Sequence, residues 1–170
     1  SVYDVISGLQ SGVANVANGL MALKKLLYEQ GILSADQITK ALASNFGEEE
    51  DEILRHRLLN VPKYGNDVDE VDQIAWQIMD DYLQSVDPYR TTRFGRGPIG
   101  CRYAGSTSNI SANVPLGQPV CATPDGRKSG EPIAEGVSPV HGTDTNGPTA
   151  VMRSVAKLQT SKMLAQLLNL

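Results

Sequence analysis

The sequence predicts an α/β chain with a helical first half, residues 1–87, and a second half, residues 88–170, made of one strand, a long loop and a closing helix. Three observations predict it. Apolar residues recur at helical spacing between Gly12 and Val86, glycine and proline crowd in after Pro88, and Gly117 to Asn146 shows no sustained period. A connection of that length is unusual inside a compact small domain. It fits a piece wrapped over a larger body, so residues 1–170 are expected to form one partial segment of a larger domain.

Taken in order, residues near 2–9 read as a short extended piece ending at Gly8. A helix from Gly12 to about Gln30 carries Val13, Val16, Leu20, Leu23, Leu26 and Leu27 on its apolar face, and Gly31 stops it. Ser34-Ala35-Asp36-Gln37 is a capping-box pattern opening a short helix that aligns Ile38, Leu42 and Phe46. Glu48 to Leu59 reads as a third helix, begun by acids that suit the positive end of its dipole. Asp67 to about Val86 is a longer fourth, with Val71, Ile74, Ala75, Ile78 and Tyr82 facing inward. Residues 12–86 are thereby expected to be able to form a bundle by themselves. The one strand-like run is Arg102 to Val114. Thr123-Pro124-Asp125-Gly126-Arg127 is a strong turn, and Gly147-Pro148-Thr149 opens a last helix through Val151, Val155 and Leu158, extending toward Met163 and Leu167.

Composition excludes several function classes. The 15 basic residues are scattered and the net charge is −4, so there is no basic stripe for nucleic acid. No run approaches the roughly 18–20 apolar residues that span a bilayer. Aromatics at 5% are too few for an evident aromatic substrate cage. Ser1-Val2-Tyr3-Asp4 lacks a targeting pattern and an initiating Met, and the chain is expected to begin inside a longer protein. With Cys101 and Cys121 as the only cysteines there is no disulfide framework, which fits a reducing cytoplasm.

Candidate sites divide into weak and strong signals. Gly95-Arg96-Gly97-Pro98-Ile99-Gly100 matches the dinucleotide glycine pattern in form only. A polar segment precedes it, a strand-like run follows it, and Pro98 removes an amide that a pyrophosphate would need. Cys121 with His141 would make a thiol hydrolase if a base lowered the thiol pKa, but a buried structural thiol is the expected reading. His56 and His141 have no zinc-ligand spacing with the cysteines, so no metal site is expected. The run Glu48 to Glu52 reads as a solvated helix start. Asp125, Glu131, Glu135 and Asp144 are assigned to turn capping and pairing with Arg127 or Arg153.

The stronger signal is an ordered set of motifs. Ser111-Ala112-Asn113-Val114-Pro115-Leu116-Gly117 leads into Ala122-Thr123-Pro124-Asp125-Gly126-Arg127, then Gly130-Glu131-Pro132 and Ala134-Glu135-Gly136-Val137-Ser138-Pro139. Gly142-Thr143-Asp144, Gly147-Pro148-Thr149-Ala150-Val151 and Ser154-Val155-Ala156-Lys157-Leu158 follow. Upstream stand Gly12-Val13-Ala14-Asn15-Val16 and Val61-Pro62-Lys63-Tyr64-Gly65-Asn66-Asp67. Over essentially its whole length the chain resembles glycyl radical enzymes of the pyruvate formate-lyase, glycerol dehydratase and choline lyase type.

The resemblance implies a ten-stranded α/β barrel around two loops, one bearing a catalytic Cys and the other a Gly that a radical-SAM activase converts to a radical. It implies an anaerobic radical dehydratase or lyase acting on a small organic substrate, or a formate acetyltransferase-like activity. It also implies a homodimeric whole enzyme, with no cofactor bound directly. Neither Cys101 nor Cys121 stands in a Gly-Cys-Val-Glu context, and Arg153-Ser154-Val155-Ala156-Lys157 is not the Arg-Val-x-Gly-Tyr of the radical loop. The segment is therefore expected to lie between the two loops, to carry no catalytic residue, and to supply barrel wall. By strand alternation Ser106, Ser108 and Ile110 share one face and are expected to contact substrate. Some relatives carry a larger aromatic at the place of Ser108, so the small hydroxyl would leave room for a bulkier substrate. The partners implied are the small-molecule substrate, the activase and the rest of the barrel. The competing reading is a non-catalytic interaction module that pairs through exposed strand edges.

Overall fold

The structure is a computed structural model that describes residues 6–89, 103–106 and 111–159. Along them the chain runs β1 (Ile6–Leu9), α1 (Val13–Ala22), a π-helical continuation (Leu23–Glu29), α2 (Ala35–Ala43), α3 (Glu49–Leu59), α4 (Asp69–Val86), β2 (Tyr103–Ser106), α5 (Asn113–Gly117) and α6 (Pro148–Ala156). The helical first half is as the periodicity predicts.

Local chemistry explains most boundaries. At α2 the Ser34 hydroxyl accepts from Gln37 N at 3.2 Å and the Gln37 side chain accepts from Ser34 N at 2.9 Å, closing the capping box. At α3 the acidic run divides its labour: Glu49 and Glu50 face solvent, whereas Asp51 is buried and accepts from Glu48 N and the Ser44 hydroxyl. Pro148 occupies the first turn of α6, where its missing N–H costs nothing.

Three expectations are corrected. The helix from Gly12 does not stay α-helical, because Gln30 N bonds Lys25 O at 3.0 Å and the turn widens. In that widened stretch Lys24 and Lys25 both reach Glu70, at 2.6 and 2.9 Å. The apolar face of α1 also differs: Val16 and Leu20 are exposed, while Ala14, Ala17, Met21 and Ala22 are buried. Small side chains win because the helix is closely approached, Gly19 lying against Pro124 and Asp125. Finally, the strand expected over Arg102 to Val114 is described as strand only at Tyr103–Ser106; Ser111 takes φ 64° and Asn113–Gly117 is helical, with Pro115 tolerated in the first turn. At the C-terminal side α6 ends at Ala156; Met163 and Leu167 lie outside the described residues.

β1 and β2 pair in parallel, Ile6 opposite Tyr103 and Leu9 opposite Ser106. The register sets Gly8 beside Gly105, and both sit directly on α4. A Cβ on Gly8 would fall on the Tyr82 hydroxyl and one on Gly105 on Leu83, so glycine is what allows sheet and helix to touch.

Two cores hold the described residues. One joins Val13, Ala17 and Met21 of α1 to Val71, Ala75 and Met79 of α4, together with Tyr64, Ala134, Val137 and Leu158. The other gathers Leu26, Leu33, Ile38, Phe46, Leu54 and Leu58, with Ala122. Because Ala122, Ala134 and Val137 belong to the long loop, the helices of residues 12–86 share their cores with the second half and are not a bundle closed on itself.

Candidate functional site

Residues 118–147 keep almost no regular structure, so their backbone groups must find partners elsewhere. The Thr123–Arg127 turn closes through Gly126 N to Thr123 O and Thr123 N to Arg127 O, both 3.0 Å, with Gly126 at φ 94°. The buried Asp125 carboxylate caps the turn, accepting from the Thr123 hydroxyl and from Arg127 N at 3.4 Å. It also accepts from Asn15 Nδ2 at 2.7 Å, and the Asn15 Oδ1 accepts from Ala134 N at 2.7 Å. One asparagine near the start of α1 therefore fastens two separate points of the loop.

Arg127 is buried and, among the described residues, pairs with no carboxylate. Its guanidinium donates to the carbonyls of Val120, Cys121 and Glu131 and to the Thr123 hydroxyl. From below, Lys63 Nζ donates to Leu58 O at 2.7 Å and Asp125 O at 3.1 Å. Burial pushes the Lys63 amine down to about 8, and the negative Asp125 offsets only part of that.

The Val61 to Asp67 motif continues the clasp. Tyr64 donates its backbone N–H to Asn18 Oδ1 at 2.8 Å and its hydroxyl to Val137 O at 2.8 Å, and burial raises its phenol pKa. Asn66 donates to Thr143 O at 2.7 Å and accepts from Asn146 N at 3.0 Å. Asp67 accepts from Arg153 at 3.2 Å, while Lys157 Nζ lies 2.7 Å from Asp67, 2.7 Å from Asp69 and 2.9 Å from the fully buried Asp72. Burial opposes the Lys157 charge, but its hydrogen bonds to the three aspartates outweigh this and raise its pKa. The motifs that are far apart in sequence thus meet as donor and acceptor of the same bonds.

Between α1, α3 and residues 131–144 lies an open cavity of about 720 Å³ with Asn18 and Asp125 on its inner wall. Its reach into Arg55, Glu131 and Asp144 gives it a charged lining.

Ser106 is the final residue of β2, opposite Leu9. Ser108 and Ile110 lie outside the described residues, as do Cys101 and the Gly95 to Gly100 run. Cys121 is exposed rather than buried, because it stands at the outer side of the knot that binds its carbonyl to Arg127. The Arg127 assignment is likewise corrected to carbonyl binding, and Arg153 pairs with Asp67 rather than with a loop acid. Among the described residues no group of three His, Cys, Asp or Glu could hold a metal, and no helix is long and apolar enough to cross a membrane. Asn15, Asn18 and Lys63 carry much of the polar framework. Membership of the conspicuous motifs pointed to Asn15 and Lys63 in the sequence, whereas Asn18 lies outside all of them.

A helical scaffold clasps an irregular loop beside a parallel strand pair. The family model described as "Pyruvate formate lyase-like" matches residues 1–117, and the one described as "Glycine radical" matches residues 133–170. The chain belongs to the pyruvate formate lyase-like family, whose relatives here are glycyl radical enzymes. It is 50% identical over 167 residues to the probable dehydratase YbiW of Escherichia coli (strain K12), covering 98% of this chain and 21% of that protein. With the trans-4-hydroxy-L-proline dehydratase of Clostridioides difficile it shares 35% identity over 159 residues, 93% of this chain and 19% of the relative. The glycerol-bound B12-independent glycerol dehydratase of Clostridium butyricum superposes with a TM-score of 0.88 at 36% identity, over 98% of this chain and 20% of that one. The chain spans about a fifth of the length of these relatives. Residues 133–170 thus enter the glycine radical region, yet Gly136, Gly142 and Gly147, its three glycines, stand outside any Arg-Val-x-Gly-Tyr sequence.

Proposed function

We propose that this chain is the wall-forming part of a glycyl radical dehydratase or lyase that acts on a small organic substrate in anaerobic metabolism in the cytoplasm. The observation that carries the reading is the 50% identity to a probable dehydratase over 98% of this chain, which takes in both halves and their clasp. The radical pair, a Cys and a Gly outside these 170 residues, supplies hydrogen-atom abstraction from substrate. The chain's own residues hold and shield. Ser106, Ser108 and Ile110 line the substrate pocket, and the α1–α4 scaffold with its clasped loop holds the wall that shields it from solvent and oxygen. The small Ser108 hydroxyl leaves space for a substrate larger than those accepted where an aromatic stands. The whole enzyme is a ten-stranded barrel that works as a homodimer and depends on a radical-SAM activase.

The test is to express the full polypeptide that contains this segment with a radical-SAM activase under anaerobic conditions. Electron paramagnetic resonance should show a glycyl radical, and elimination of water from vicinal diols or hydroxyproline should follow its appearance. A radical that forms without turnover of any hydroxylated substrate would move the enzyme to another branch of the family. Absence of a radical in the activated protein would overturn the reading.

A further inference from the structure

The backbone just beyond the pocket residues is held by a side chain from the long loop. Ser111, the next described residue after Ser106, takes φ 64°, a left-handed conformation that a non-glycine residue keeps only where its surroundings impose it. Its N–H donates to Glu135 Oε1 at 2.9 Å. Further on, Asn113 O accepts from Ile133 N at 3.2 Å. At Gly117 the chain passes so near Glu131 O and Pro132 that a Cβ would not fit. Residues 131–135 and 111–117 are thus in direct contact.

The same loop residues are fixed to α1. Ala134 donates its N–H to Asn15 Oδ1 at 2.7 Å, and its carbonyl accepts from Gly12 N at 3.0 Å. Both backbone groups of the residue before Glu135 are therefore committed to the start of α1. Glu135 O in turn accepts from Ser138 N at 2.8 Å. A carboxylate carried on so constrained a backbone reaches Ser111 N from a fixed place. Ser111 itself is exposed, so water competes for its amide wherever that bond is missing. Ser111 belongs to the stretch that matches the pyruvate formate lyase-like model, and Glu135 to the stretch that matches the glycine radical model.

We propose that Glu135 is a positioning residue for the substrate pocket. Its carboxylate sets the left-handed turn at Ser111 and so holds the end of the wall formed by Ser106, Ser108 and Ile110. The inference rests on the proposed role of that wall. Because Glu135 acts through Ser111, it governs how well substrate is held and not whether the radical forms.

The experiment compares Glu135→Ala and Glu135→Gln with the native full-length enzyme. Hydrogen exchange at the Ser111 amide is measured before activation. Glu135→Ala should accelerate it roughly tenfold, whereas Glu135→Gln, which keeps an oxygen acceptor, should stay near native. After anaerobic activation by a radical-SAM activase, glycyl radical yield, KM and kcat are measured with propane-1,2-diol and hydroxyproline as the substrates tried. Glu135→Ala should keep the native radical yield and a kcat within about twofold, with KM raised roughly tenfold and largely restored in Glu135→Gln. Ser111 exchange that Glu135→Ala leaves unchanged overturns the assignment, whatever the activity. An unchanged KM at native radical yield overturns it as well, and so does a KM as high in Glu135→Gln as in Glu135→Ala. A native enzyme that forms no radical sinks the reading of function instead, and the exchange result tells the two failures apart.

Discussion

Replacing Lys63 with Met should remove a rise in stability with pH that the native chain carries. Lys63 is 7% exposed, and burial pushes its amine down to about 8 against 10.5 in the open chain. Below pH 8 both folded and unfolded chains hold the proton, and the burial cost is fully felt. Between about 8 and 10.5 the unfolded chain keeps the proton while the folded chain sheds it, so stability increases with pH. At about 1.4 kcal/mol per pH unit the gain across that window is about 3 kcal/mol. Deprotonation leaves two N–H donors, which match the two carbonyls of Leu58 and Asp125 that the amine already serves. The fold survives the loss of charge. Lys63→Met strands those carbonyls but also removes the burial cost of the charge, so what distinguishes it is that its stability should lack the rise across the alkaline range. Urea unfolding from pH 7 to 10.5 on both proteins checks this, because other titrating groups cancel in the difference. Curves that run parallel would refute the argument, since they would mean Lys63 titrates alike in the folded and unfolded chain.

Asn15→Leu removes the bonds to Asp125 and Ala134 N while keeping volume, and should cost about 2–5 kcal/mol in thermal or denaturant unfolding. Gly105→Val drives a side chain into Leu83 and should cost about 1–3 kcal/mol, with loss of the β1–β2 amide protection in hydrogen exchange before any loss at α4. Arg127→Met unties three carbonyls, so exchange should accelerate across residues 120–131 while the α2–α3 core stays protected.

The periodicity of α4, the Ser34–Gln37 box, the Asp125 turn and Pro148 at the start of α6 could be read from sequence because each depends on residues within a few positions of one another. What could not be read depends on distant partners. Val16 and Leu20 fit an apolar stripe, yet the α1 face chosen for burial is the one with small residues, a choice made by how closely α4 and the loop approach. The described part of the strand is Tyr103–Ser106 and α5 starts at Asn113, although 102–114 reads as one strand-like run. The motifs of the loop were visible as a series; that Val61 to Asp67 is their binding partner emerges only when Tyr64, Asn66 and Asp67 meet Val137, Thr143 and Arg153. Cys121 shows the same limit, since the usual interior place of a free cysteine suggested burial while Arg127 binds its carbonyl and the residue stands exposed.

The most direct test of the account is Ser108→Tyr in the full radical enzyme, with the glycyl radical yield and kcat/KM measured together over small and larger hydroxylated substrates. If residues 106–110 wall the substrate pocket, the radical yield stays at the native level while kcat/KM falls for the larger substrates and holds or rises for the smallest. An unchanged ranking of substrates at unchanged radical yield would contradict the wall assignment.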